Sequence, residues 1–351
     1  MEEWQDVEIE VLPGLESIVE EELAGLMASR RHVIGRPAPG RIAVRILGEP
    51  WILERLRCAV AVHLLARFDV PRPRALLGHQ HFTRLAALLS SIVSRQPRGA
   101  FASVRISAAG SGSSVFIRLK EELERALGLA ATGGEGDLLV SVRRPADGSP
   151  GWEVLARTTP RPLSARAWRV CSMPGALNAT IAHAMIRLAG PRRHDRFLNL
   201  ACGSGTLLVE RLEHLPARFA LGVDASAGAI ECAEANLRAS GHLAQVALIR
   251  GDVTRVPLAS GSVDTMVVDL PYGMLVGSSE ENRQLYPALL REAARLAAPR
   301  AVLVAVTAAT RVFRSALQQE GGAWFLDRVV PVRIPYRDRQ MTANIYLLRR
   351  E

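Results

Sequence analysis

The residues Asp269-Leu270-Pro271-Tyr272-Gly273 follow an apolar stretch, 265–268, that reads as a strand. A carboxylate and a rigid turn carbonyl at a strand end can both accept hydrogen bonds from a planar exocyclic amine. The Tyr272 ring can stack on the base that carries that amine. Together they hold an amino nitrogen with its lone pair outward, in line with a methyl donor. Taken alone, the same residues describe a proline-stabilised turn.

A second candidate lies upstream. Asn199-Leu200-Ala201-Cys202-Gly203-Ser204-Gly205-Thr206 leads from a strand through a GxG turn into a helix. Glycines let a ligand approach the backbone, and the helix N-terminus favours an anion. A dinucleotide fingerprint needs a third small residue where Leu208 stands, which lowers the hydride-transfer reading. Asp224 falls 19 residues past Gly205 at the end of the next strand. There it can accept from both ribose hydroxyls, cap the following helix, or do both. Asp252, after a third strand, either faces an adenine amine or forms a turn. Asn199 either supports an ammonium group or packs the strand end.

These side chains need a sheet to bring them together. From about residue 174 strands and helices alternate. Strands are predicted at 196–200, 220–223, 245–249, 265–269, 301–306, 324–332 and 344–348. Helices fall between the first five, and an Arg-rich connection, 333–341, joins the last two. That is a Rossmann-like parallel sheet with an antiparallel edge strand. The first 70 residues read β-α-β-α-β, with helices at 15–27 and 50–65, which suggests a ferredoxin-like α+β unit. After the break Pro71-Arg72-Pro73-Arg74, a second α+β unit runs from about 75 to 158. The Gly-rich stretch 132–136 reads as a short loop.

The GxG and Asp-Leu-Pro-Tyr segments in combination resemble the S-adenosylmethionine-dependent guanine-N2 methyltransferases of RNA that carry a THUMP domain. Residues 174–182 resemble that family's helix before the first strand, 161–169 its linker, and 285–292 the segment after the acceptor motif in its tRNA acceptor-stem enzymes. The resemblance implies an α/β architecture: a ferredoxin-like domain (1–72), a THUMP domain (73–158), a linker (159–173) and a Rossmann-like class I methyltransferase domain (174–351). It implies S-adenosyl-L-methionine as cofactor, held by Asn178, Asn199, Ala201, Cys202, Gly203, Gly205, Thr206, Asp224 and Asp252. Asp269 would accept from guanine N2, with the Pro271 carbonyl assisting and Tyr272 stacking. The implied partner is tRNA, gripped by its 3′ single-stranded end and its acceptor stem, with position 6 the favoured target. Another tRNA position, 23S rRNA and a silent RNA-binding protein are the alternatives.

Composition fits this reading. The chain has 351 residues, 48% hydrophobic and 23% charged, with a net charge of +9. It has one lysine, Lys120, among 44 basic residues, which reflects genome composition. The charge is segregated, however: residues 30–118 hold 15 arginines against three acids, and 157–196 hold eight against one. Segregation of sign points to a polyanion partner. Arg118 and Lys120 lie in the suspected RNA-binding unit, or simply on a solvated helix face. No apolar run is long enough to span a bilayer, and the acidic N-terminus does not read as a signal peptide. Four cysteines without CxxC spacing fit free thiols in a reducing cytoplasm. A buried-core role for Cys202 argues against a cytosine-C5 methyltransferase, which attacks through cysteine. His79-Gln80-His81 has no second ligand pair, so no metal is expected, and a monomer is.

Overall fold

The computed structural model describes residues 3–28, 30–129, 138–273, 277–320, 322–336 and 339–350. The stretch 132–136 lies outside them. The chain divides into two compact units: Met1–Val11 with Val19–Ser164, and Leu12–Ile18 with Ala165–Glu351.

In the first unit β1 (Trp4–Glu10) leads into α1 (Glu16–Leu26), whose first residues cluster with the second unit. Then come β2 (His32–Ala38), β3 (Arg41–Leu47) and β4 (Ala61–Phe68), followed by α2 (His79–Arg95), β5 (Val104–Ala108), α3 (Ser114–Leu127), β6 (Leu138–Arg143) and β7 (Trp152–Arg157). The strand order is β2-β3-β1-β4-β7-β6-β5. Because β4 pairs with β7, one sheet runs across residue 72.

The helix predicted at 50–65 is not there. A 3-10 turn, Pro50–Arg55, is followed by β4, which sits between β1 and β7. The run Ala61-Val62-His63-Leu64 is buried throughout. A buried, mostly apolar run fits a central strand as well as a helix, and the β-branched Val60 and Val62 favour the strand. Several charged residues in this unit pair internally. Glu22 accepts from the backbone N–H groups of Arg57 and Cys58, both at 3.0 Å. Arg143 bridges Glu8 and Glu153, and Lys120 lies 3.6 Å from Glu124.

The second unit contains α4 (Ala179–Ala189), β8 (Arg196–Leu200), α5 (Thr206–His214), β9 (Phe219–Asp224), α6 (Ala227–Ala239), β10 (Val246–Arg250), β11 (Val263–Asp269), α7 (Ser279–Leu296), β12 (Ala297–Thr307), α8 (Thr310–Gln319), β13 (Phe325–Tyr336) and β14 (Arg339–Arg349). Its sheet order is β10-β9-β8-β11-β12-β14-β13. The antiparallel strand, β14, is next to last and not at the edge, because β13 closes the hairpin outside it. No helix joins β10 to β11. The short 251–262 connection, which carries Pro257 and Gly261, makes turns instead. Most of the expected Arg-rich connection is strand: 333–336 and 339–341 continue the hairpin.

One sheet face packs with α7 and α8, joining Leu198, Leu200, Val268, Leu270, Tyr286 and Phe313 in a single apolar cluster. The opposite face takes α4 to α6. Gly222 on β9 lies so close to it that a Cβ there would sit 2.7 Å from Leu208 and 3.1 Å from the Cys202 sulfur. Gly222→Ala should therefore overpack this face and cost about 1–3 kcal/mol in denaturant unfolding.

Candidate active site

The cofactor turn is built by backbone conformation. Ala201, Gly203 and Gly205 take φ values of 48°, 52° and 75° in three alternate positions after β8. The left-handed region is strained for Ala201 and free for the glycines. A Cβ on Gly203 would meet nothing within 4 Å, so that side of the turn is open. A Cβ on Gly205 would press on Ala233 at 3.1 Å, so this glycine lets α5 and α6 approach.

Asp224 secures the turn. Its Oδ2 accepts from Gly203 N–H at 2.9 Å and its Oδ1 from Ser226 N–H at 2.9 Å. The cap of α6 is Ser226, whose hydroxyl accepts from Ala229 N–H. Asp252 forms a turn of its own, with Oδ1 accepting from the Thr254 N–H and hydroxyl. Those two donors hold its carboxyl below the ordinary value. Parallel pairing puts β8, β9 and β10 in register, so the Gly turn, Asp224 and Asp252 stand at three adjacent strand ends. An open, side-chain-free cradle flanked by two carboxylates fits S-adenosylmethionine, with its ribose hydroxyls and adenine amine as donors.

Other expected contacts have structural partners. Asn178 caps α4, its Oδ1 accepting from the Thr180 N–H and hydroxyl. Asn199 is fully buried and its amide donates to the carbonyls of Leu200 and Val267, tying β8 to β11. Its Oδ1 has no partner among the described residues. The Thr206 hydroxyl accepts from Arg169. Burial, reinforced by the Asp224 carboxylate, pushes the Cys202 thiol up to about 12, so it is no nucleophile.

The acceptor motif sits where β11 ends, beside β8. Asp269 is partly buried, and its Oδ1 is sealed from solvent without a partner among the described residues. Burial pushes its carboxyl up to about 7, opposed by a hydrogen bond from Tyr272. The Tyr272 phenol is raised by burial and by that same carboxylate.

The Pro271 carbonyl departs from expectation. It accepts from the Tyr286 hydroxyl at 2.6 Å and from the Asn282 amide at 2.8 Å. Two donors from α7 thus already engage this carbonyl. Tyr286 is fully buried and also meets the Thr307 hydroxyl at 2.9 Å on β12. Residues 285–292 had drawn notice by resemblance. Asn282 had not, although it lies one helical turn before Tyr286 and so shares its face.

The linker is fastened to the cofactor helices. Arg166 donates to Glu210 at 2.7 Å, and Glu210 also meets His183 at 2.9 Å. Arg169 donates to the Leu177 carbonyl as well as to Thr206. Asn236 of α6 accepts from Cys171 N–H and donates to the carbonyls of Cys171 and Ser204. Cys171 and Cys232 form a disulfide, which corrects the expectation of four free thiols; Cys58 and Cys202 are free and buried.

Residues 166–336 match the family model described as UPF0020, RMKL-like, methyltransferase domain. The chain is 32% identical over 191 residues to the tRNA (guanine(6)-N(2))-methyltransferase THUMP3 of Bos taurus, covering 50% of this chain and 37% of that protein. It is 29% identical over 316 residues to the tRNA (guanine(6)-N2)-methyltransferase of Thermus thermophilus, covering 87% and 90%. It is also 36% identical over 112 residues to the U6 snRNA (guanine-N(2))-methyltransferase THUMPD2 of Mus musculus, covering 32% and 21%. The chain spans about a third of the length of the first curated relatives it matches. The crystal structure of TrmN from Thermus thermophilus aligns over 99% of this chain and 100% of that chain, with a TM-score of 0.73 at 23% identity. A second structure, SMU.472 complexed with SAH, aligns over 99% and 98% with a TM-score of 0.67 at 17% identity.

Two outcomes follow from the acceptor motif. Asp269 has a folded pKa raised from 3.8 to about 7. The folded state therefore binds the extra proton between those values, and stability falls as pH rises through that window. Asp269→Asn should raise the melting midpoint at pH 8, and the gain should vanish near pH 4. Tyr286→Phe leaves Pro271 one donor. Methyl transfer should fall roughly tenfold in kcat, with the cofactor Kd by calorimetry unchanged.

Proposed function

We propose, from the premise that residues 166–336 are an RMKL-like methyltransferase domain, that the chain transfers a methyl group from S-adenosylmethionine to N2 of a guanosine in tRNA, at position 6 of the acceptor stem. The observation that carries this reading is the unpartnered Asp269 Oδ1 at the end of β11, beside the strand that leads into the open glycine turn. A sealed carboxylate oxygen without a donor is costly unless something fills it, and an exocyclic amine supplies the missing N–H.

The cofactor supplies an electrophilic methyl group on its sulfonium. The protein's own residues do the rest. Gly203 and Gly205 leave the turn clear, Asp224 and Asp252 accept from ribose and adenine, and Asp269 accepts from the guanine amine and directs its lone pair. Tyr272 stacks on the base once its hydroxyl leaves Asp269. A carboxyl poised near 7 also suits it to receive the proton that the methylated nitrogen sheds. Asn282 and Tyr286 hold the Pro271 turn still.

We read residues 1–72 as a ferredoxin-like domain and 73–158 as a THUMP domain that grips the 3′ end of tRNA. A guanosine in a stem must leave the stack to reach a pocket, at a cost of a few kcal/mol, so an extended backbone grip is needed. The basic stretches 30–118 and 157–196 suit that task. We take the protein to act as a monomer in the cytoplasm; among the described residues no helix is long and apolar enough to cross a membrane.

Incubation with labelled S-adenosylmethionine and unmodified tRNA should place label in N2-methylguanosine at position 6, mapped by nucleoside mass spectrometry. Label at another guanosine, or only in 23S rRNA or a small nuclear RNA, would move the target and keep the chemistry. RNA binding without incorporation would favour the silent RNA-binding protein. Asp269→Ala should abolish incorporation while cofactor binding survives. Activity (kcat/KM) should rise about tenfold per pH unit below 7 and level above it, as Asp269 ionises.

A further inference from the structure

The β13–β14 hairpin is longer than the sheet it completes. β12 ends at Thr307, which pairs with Asn344. Beyond that level β13 and β14 still pair with each other through five rungs, from Val332–Ala343 to Tyr336–Arg339. At ~3.4 Å per residue the ribbon projects roughly 17 Å past the sheet. It leaves from the C-terminal edge, where Gly203, Asp224 and Asp269 stand, and starts two strands, about 10 Å, from β11.

The ribbon is braced at its root. Arg333 N–H donates to the Pro13 carbonyl at 2.9 Å. Gly14, at φ 107°, lies so close to β13 that a Cβ there would sit 1.9 Å from the Pro331 carbonyl oxygen. The segment Leu12–Ile18 belongs to the same compact unit as the hairpin. The bracing therefore stiffens an element that contributes little to the core beyond Ala343, since Ile334 and Met341 are only half-buried.

Its charge is also distinctive. At the far end of the hairpin Arg349 is paired with Asp327, and Arg350 donates to the Ala323 carbonyl. On the projecting part Arg333 and Arg339 are exposed, and no carboxylate among the described residues pairs with either. The register puts them on opposite faces of the ribbon, because Arg333 faces Thr342 while Arg339 faces Tyr336.

We infer that this ribbon lies along the minor groove of the substrate RNA next to the target guanosine, with Arg333 and Arg339 contacting phosphates on its two walls. The inference rests on the RNA reading above. Guanine N2 is a minor-groove group, and the A-form minor groove is wide and shallow enough to admit a two-stranded ribbon. Guanidinium groups facing both ways match phosphates on both sides.

The test uses full-length protein, an unmodified tRNA transcript and a salt titration of binding. Arg333→Ala/Arg339→Ala should weaken binding about tenfold or more at low salt. It should also lower the magnitude of the slope of log K against log salt by about 1–2. Cofactor affinity and melting midpoint should not move. The Lys pair at these positions should keep the slope, and Thr342→Glu, which adds a charge while leaving both arginines, should weaken binding. Unchanged affinity and slope in the Ala pair, with wild type binding and methylating the transcript, would overturn the inference alone. Wild type that neither binds nor methylates RNA would overturn the functional reading and this inference with it.

Discussion

The Pro271 carbonyl is held by two donors from one helix, and the acceptor site depends on that attachment. A loop at a strand end has only its backbone to fix it. Here α7 reaches back with Asn282 and Tyr286, and Tyr286 in turn meets Thr307 on the neighbouring strand. The turn is thereby tied to the helix behind it and to the sheet beside it. Asp269 stays close to β8 because β11 pairs with β8 from Thr265 to Val268, the residue before it. The cofactor turn and the acceptor turn are two ends of one rigid pair of strands, which is the pre-organisation that methyl transfer requires.

Electrostatics complete this arrangement by leaving things out. Asp224 and Asp252 are supplied with backbone donors, and Asp252 is acidified by them. Burial raises the Asp269 carboxyl toward neutrality, and only the hydrogen bond from Tyr272 opposes it. Three carboxylates at strand ends of one sheet thus differ in burial and in the donors provided. In the linker, Arg166 donates to Glu210 and Arg169 to Thr206, both on α5.

Much of this was legible in the sequence, for identifiable reasons. The glycine turn and its strand-end aspartates depend on residue types that few other structures need, and four of the seven strands of the second sheet, β8 to β11, were placed to within two residues, while β12 and the hairpin extend further than expected. What failed did so physically. The run at 61–65 is apolar except for His63, so periodicity could not separate strand from helix. The projecting hairpin alternates Val332 and Ile334 with Arg333 and Pro335, but its arginines and its proline read more readily as a connection than as strand. The fate of the Pro271 carbonyl is decided by side chains 11 and 15 residues away, and no local pattern encodes it. The Cys171–Cys232 bond joins residues 61 apart and has no motif.

That bond closes a covalent ring around α4, β8, the glycine turn, α5, β9 and the first half of α6. Everything that shapes the ribose side of the cofactor cradle, Gly203 and Asp224 included, lies inside it. In the denatured ensemble the two ends of this ring cannot drift apart, so the search for the cradle's long-range contacts begins from a shortened contour. Residues 165–170 of the linker lie outside the ring but only a few bonds from its seam. The linker's last residues therefore adjoin a loop whose contour, while the bond is intact, is the same in the folded and the unfolded chain.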